Sequence, residues 1–121
     1  MSKRVLLLED NRESLDLIEE ILTEEGYHVI AFDHYESVDH IIDFAPELIL
    51  LDIRLSDGYG HLLCEDLKND PKTKNTPVIL VSGAGNLEKI AHDCRADDFL
   101  AKPFDLDHFM NKVRSYSETV N

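Results

Sequence analysis

The chain has 121 residues, 43% of them hydrophobic, with only 5 Gly and 4 Pro; that leaves room for a single domain over 1–121 and excludes a linker-rich or low-complexity chain. Its 12 Lys and Arg against 25 Asp and Glu give a formal charge of −13, a field that repels phosphate backbones and anionic lipid, so no direct nucleic-acid or membrane partner is expected. No apolar run approaches the ~18 residues of a membrane span, and Glu9 and Asp10 end the first apolar run too early for a secretory signal; the expected location is the cytoplasm, with Cys64 and Cys94 as small core thiols.

Five short apolar runs alternate with helical periodicity. Residues 5–8 form the first run, β1. Helix α1 is expected over 12–25, with Leu15, Ile18, Ile21 and Leu22 inward and Gly26 suited to the left-handed position past its end. The run 29–32 is β2, and α2 follows with Val38, Ile41, Ile42 and Ala45 on one face. After β3 at 48–51, α3 runs from near Gly60 to Lys68 with Leu63 and Leu67 inward, and Pro71 lies just beyond. The run 78–81 is β4, followed by α4 with Leu87, Ile90, Ala91 and Cys94 inward. Residues 99–101 are β5. In α5, Asp105 can cap the helix while Phe104 and Phe109 form a hydrophobic staple, which turns Leu106, Phe109, Met110 and Val113 inward. The polar end, 115–121, is expected to fray.

Hydrophobicity is continuous rather than alternating in β1, β3 and β4, so these strands should be buried on both faces and lie centrally. The β/α alternation with right-handed crossovers implies a doubly wound α/β fold, either a Rossmann half or a flavodoxin-like parallel sheet of order 2-1-3-4-5. Either way, ligand chemistry belongs at the carboxyl ends of the strands.

Those ends carry Glu9 and Asp10 after β1, Asp52 after β3, Ser82 after β4 and Lys102 after β5. Three carboxylates converging on one edge repel and raise the pKa of at least one unless a cation compensates. Oxygen ligands of this kind suit Mg²⁺, which takes one or two carboxylates and keeps several waters. Asp10 and Asp52 are the expected direct ligands, with Glu9 acting through water. An ionised Asp52 beside such a cation is a nucleophile for phosphorus, and Ser82 and Lys102 can donate to phosphoryl oxygens.

The segments LLLEDN at 6–11, LILLDIRLSDGYG at 48–60, PVILVSG at 77–83 and ADDFLAKPF at 96–104, in this order, resemble the receiver domains of two-component response regulators over the whole chain. The resemblance implies the flavodoxin-like sheet with five helices and a Mg²⁺-dependent switch rather than an enzyme acting on a separate metabolite. It implies Asp52 as phosphoacceptor; Glu9, Asp10, Asp52 and the backbone carbonyl of Arg54 as the metal site; and Ser82 and Lys102 as the groups that hold the phosphoryl. Ser82 and Phe99 are then the switch residues, the α4-β5-α5 face changes partner affinity, and the Lys102-Pro103 bond is cis. The implied partners are a sensor histidine kinase or histidine phosphotransfer protein and a downstream protein target, with a phosphorylation-dependent dimer as a further expectation. Ser56 and Gly83 depart from the family's usual Pro and Ala, and Arg95 stands where Gly is common, a strained place for a β-carbon if the backbone needs positive φ.

Other signals fail. The third glycine of a dinucleotide loop would fall at Glu88 after Gly83 and Gly85, or at Leu63 after Gly58 and Gly60, and no G-x-x-x-x-G-K-[ST] occurs. These glycines are read instead as a flexible loop beside the acidic site. His61 and Cys64 lie one helical turn apart but have no third ligand near in sequence. An aspartyl phosphatase of the haloacid-dehalogenase type needs a second Asp two residues after the first, where this chain has Arg54.

Overall fold

The computed structural model describes residues 3–117. Five parallel strands form one sheet: β1 (Arg4–Leu8), β2 (His28–Phe32), β3 (Leu48–Leu51), β4 (Val78–Ser82) and β5 (Asp98–Ala101), in the order β2-β1-β3-β4-β5. This is the flavodoxin-like 2-1-3-4-5 order. Every residue of β3 and β4 is buried, as is β1 after Arg4, which agrees with the continuous hydrophobicity of those runs.

The period of two sorts the strand side chains into two cores. Val5, Leu7, Leu48, Leu50, Ile79 and Val81 pack with Leu15, Ile18 and Leu22 of α1 (Arg12–Glu24) and Phe109, Met110 and Val113 of α5 (Leu106–Ser117). On the opposite face Leu6, Leu8, Ile49, Leu51, Val78 and Leu80 pack with α2 (Val38–Phe44), α3 (Gly60–Asn69) and α4 (Leu87–Asp93). Cys64 and Cys94 are free and buried in this second core. Gly26 has φ 94° and lies just past the Glu25 cap of α1, the left-handed position its sequence context suggests.

Several expectations need correction. Ala45 does not continue the apolar face of α2: it caps the helix in the left-handed conformation at φ 51° and is exposed, and Phe44 packs toward the core in its place. Leu106 is half exposed rather than inward, because the inward face of α5 is taken by Phe109, Met110 and Val113, with Phe104 stacked on Phe109 at 5.0 Å. Residues 115–117, expected to fray, are helical, and Ser117 is buried with its Oγ 2.9 Å from the Tyr27 hydroxyl; the rest of that expectation lies outside the described residues.

A feature with no sequence signal follows β3. Residues Arg54–Leu55 pair antiparallel with Gly58–Tyr59 in a minimal hairpin, and the chain then turns directly into α3. A β-carbon at Gly60 would lie 1.8 Å from the Asp52 carbonyl oxygen, and one at Gly58 would lie 2.6 Å from the Tyr35 ring. These two glycines are close-packed contact points, not parts of a flexible loop. Gly83 and Gly85, in contrast, have open space around them.

Among the described residues no helix is long and apolar enough to cross a membrane.

Candidate functional site

The sheet ladder carries on into the polar residues at its carboxyl edge. Glu9 N–H donates to Phe32 O at 3.0 Å, Asp52 N–H to Leu8 O at 2.9 Å and Lys102 N–H to Ser82 O at 2.9 Å. Backbone hydrogen bonding thus fixes where these side chains start, the precondition for a preorganised site. They line a cavity of about 720 Å³ together with Asp10, Asn11, Arg12, Ile53, Arg54, Gly83 and Ala84.

Glu9 is 1% exposed. Its Oε2 accepts from the Asn11 backbone N–H at 3.1 Å, and its Oε1 is the close partner of the Lys102 ammonium. Lys102 Nζ also lies 3.4 Å from Asp52 Oδ2, so a single cation bridges two carboxylates from strands β1 and β3. Burial, with the hydrogen bond from its carboxyl to Asp52 second, pushes the Glu9 pKa up to about 7 against the opposing pull of Lys102 and the Asn11 N–H. Glu9, Asp10 and Asp52 set three carboxylates against the single lysine ammonium of this edge.

Asp10 is exposed at the mouth of the cavity and Asp52 is partly covered at its floor. Ser82 is buried, and its Oγ accepts from Ala84 N–H at 3.3 Å in the turn that leaves β4. Arg54 is exposed on the cavity wall, with its backbone paired to Tyr59. Phe99 is not in the cavity. It sits half-buried on β5, beside Leu80 in register, and lines a separate apolar hollow of about 450 Å³ with Leu100, Phe104 and His108. The fold therefore gathers Glu9, Asp10, Asp52, Arg54, Ser82 and Lys102 and leaves Phe99 outside the cavity, two residues before Ala101, the register partner of Ser82.

The Lys102-Pro103 bond is cis, and Arg95 has φ 63°, the positive value at which its β-carbon is strained. Sequence reasoning missed two polar residues of the cavity, Asn11 and Arg12. Asn11 had a usable signal, because it caps α1 through Oδ1, accepting from Ser14 N–H at 2.9 Å; Arg12 had none, since only its place on the first turn brings it to the cavity wall. The His61 ring lies 5.6 Å from that of Tyr59, tilted by 53°, and its Nδ1 is buried without a hydrogen-bond partner, while the buried Cys64 thiol donates to Cys94 O at 3.4 Å. The two do not face one another as a ligand pair.

Comparison with known proteins places this geometry. Residues 5–114 match the response regulator receiver domain family. The chain is 33% identical over 115 residues to the DNA-binding dual master transcriptional regulator RpaA of Synechocystis, covering 93% of this chain and 48% of that protein. Among solved structures, a CheY-like receiver domain protein of Methanospirillum hungatei superposes with a TM-score of 0.85 at 28% identity, over 95% of this chain and 93% of the other. The receiver domain of sensor histidine kinase PA1611 of Pseudomonas aeruginosa, solved with a magnesium ion in its active site cleft, superposes with a TM-score of 0.80 at 22% identity, covering 98% and 100% of the two chains. The chain spans between about a quarter and about half of the length of the curated relatives it matches. Sheet order, the polar carboxyl edge and the match over nearly all its length together show that the chain belongs to the response regulator receiver domains.

Proposed function

We propose that Asp52 accepts a phosphoryl group from a histidine kinase or histidine phosphotransfer protein, and that the phosphorylated domain alters the affinity of its α4-β5-α5 face for a protein target. The observation that carries this reading is the position of the Asp52 carboxylate at the cavity floor, 3.4 Å from Lys102 Nζ, in a pocket that Ser82 also lines. In the transfer, a carboxylate oxygen of Asp52 forms the new O–P bond as the N–P bond of the donor phosphohistidine breaks, and the leaving imidazole keeps the nitrogen electron pair and takes a proton from solvent. Lys102 and Ser82 donate to the phosphoryl oxygens. Lys102 is already in place for this, since it needs only to share its ammonium between Glu9 and the incoming oxygens.

A divalent cation fits the donor set. Among the described residues no three Asp, Glu, His or Cys side chains close into a preformed cage, but Mg²⁺ does not require one, and the three carboxylates of Glu9, Asp10 and Asp52 lining this edge favour added positive charge. Asp10, Asp52 and the Arg54 carbonyl would hold it, with Glu9 in support. When bound, Mg²⁺ supplies charge neutralisation for the donor's phosphoryl oxygens.

We further propose that Phe99 and Ser82 form the internal link to the α4-β5-α5 face, that the phosphorylated form can pair with a second copy, and that the domain works in the cytoplasm without touching nucleic acid itself. The negative charge of the chain supports the last point; the DNA-binding named for RpaA belongs to a protein of which this chain covers 48%. Incubation with Mg²⁺ and acetyl phosphate should add one acid-labile phosphoryl mass to the wild type and none to Asp52→Asn, with both proteins folded. Equal labelling of the two would refute the assignment.

A further inference from the structure

Beside the cavity, the loop between β2 and α2 carries ionisable groups that the phosphoryl chemistry does not use. His34 has a carboxylate on each ring nitrogen: Nδ1 is 3.0 Å from Asp33 Oδ1 and Nε2 is 3.2 Å from Glu36 Oε2. A neutral imidazole has one N–H and can satisfy only one of these acceptors, so the geometry is that of an imidazolium. The ring is seated edge-on against Phe32 at 5.3 Å. The hydrogen bond to Asp33 leads the causes that raise the His34 pKa; burial opposes it, and the charges of Glu36, Asp33 and Asp57 add to the rise. His40 Nδ1, 3.4 Å from Glu36 Oε1, and Asp57, whose Oδ1 accepts the Tyr35 N–H at 2.7 Å, are further ionisable groups beside this cluster.

Asp33 is shared. Its second oxygen, Oδ2, lies 3.6 Å from Arg12 Nη1, while Arg12 Nε lies 3.5 Å from Asp16 Oδ1. Arg12 also lines the cavity at Asp52. One carboxylate thus stands between the imidazole and a guanidinium that borders the reaction space.

We propose that Arg12 is a positioning residue for phosphoryl uptake and that protonation of His34 sets its availability. With His34 charged, Asp33 is neutralised by its neighbour and its hold on Arg12 weakens, leaving the guanidinium to meet phosphoryl oxygens at Asp52. With His34 neutral, Asp33 has only Arg12 as its cation and keeps it on the loop. Linkage requires the converse, that loss of the Arg12 charge raises the His34 pKa. This inference rests on the phosphoacceptor reading of Asp52.

Two measurements on the 121-residue chain test it. Ring-proton NMR titration of metal-free protein should place the His34 pKa higher in Arg12→Gln than in wild type by about 0.3 pH units, and identical values would overturn the relay. Steady-state labelling by acetyl phosphate and Mg²⁺ between pH 5.5 and 8 should give a ratio of wild type to His34→Gln that changes about twofold across the range, the same coupling read from the other side; in the Arg12→Gln background the ratio should be flat. The ratio is the readout because Glu9 titrates in the same range and affects both proteins alike. A wild type that takes no label would overturn the phosphoacceptor reading and the relay with it. Labelled protein whose pH profile is the same with and without His34 overturns the relay alone.

Discussion

The middle of the sheet and its carboxyl edge are built from the same three strands and obey opposite rules. In residues 5–8, 48–51 and 78–81 of β1, β3 and β4 every side chain is apolar and buried, and the polar groups are those of the backbone. One residue further along, Glu9 is as buried as the leucines before it, yet it carries a carboxylate whose pKa has climbed to about 7 because burial opposes its charge. The interior supplies stability and the edge draws on it, the usual relation between a core and a site.

Four substitutions sharpen or break that contrast. The largest effect belongs to the interior: Leu50 is 0% exposed, and Leu50→Ala should cost roughly 2–5 kcal/mol in a urea unfolding curve. Gly60→Ala comes next, because its β-carbon would meet the Asp52 carbonyl oxygen at 1.8 Å, and the shift needed should cost ~1–3 kcal/mol while displacing the Asp52 backbone. If Gly60→Ala were neutral, the edge would be looser than its hydrogen bonds indicate.

The third substitution reverses the sign. A buried Glu9 binds its proton more tightly folded than unfolded, so in metal-free protein its contribution to stability is greatest below about pH 4.5 and declines as pH rises to about 7. Glu9→Gln should remove that decline, leaving the variant on the order of 1–2 kcal/mol more stable than wild type at pH 8 after the lost Lys102 pairing is deducted. Thermal melts at pH 5 and pH 8 in a chelator give the comparison, and a wild-type stability that rises over this range would contradict the cost of burying the Glu9 charge. Smallest is Asp10→Asn. Asp10 is exposed at the cavity mouth, water already solvates it, and the change in melting free energy should stay within ~0.5 kcal/mol.

Much of the interior was legible in the sequence, because burial on both faces of a strand leaves a continuous apolar run and the two core faces of α1 and α5 repeat at helical spacing. The strand-end polar set was legible for the same reason, since the end of an apolar run marks the edge of the sheet. What escaped lies where spacing in the chain says nothing about distance in space. Ala45 is apolar at a helical position, but the backbone has already turned left-handed there. Leu106 fits the periodicity of α5 yet is half exposed. The close approach of Gly60 to Asp52 depends on the hairpin of Arg54–Leu55 with Gly58–Tyr59, whose two-residue strands are too short to show a pattern. The pairing of Lys102 with Glu9 before Asp52 is a matter of ångströms across three strands.

Helix α5 is pinned at both ends. Near its start the Phe104–Phe109 stack sits just past Lys102, and Asp105 accepts the Asp107 N–H at 3.2 Å; at its far end the Ser117 Oγ meets Tyr27 at 2.9 Å and Tyr116 donates to Asp97 O at 3.1 Å. In mechanical terms it is a rod tied to the carboxyl-terminal rim of the sheet by the short chain 102–105 and to the amino-terminal rim by the Tyr27 and Asp97 hydrogen bonds. Such a rod cannot peel from one end without loading the other, so its remaining freedom is to roll about its long axis or tilt as a whole. A displacement beginning at Lys102 would then be felt at Tyr27, on the opposite rim, as torque.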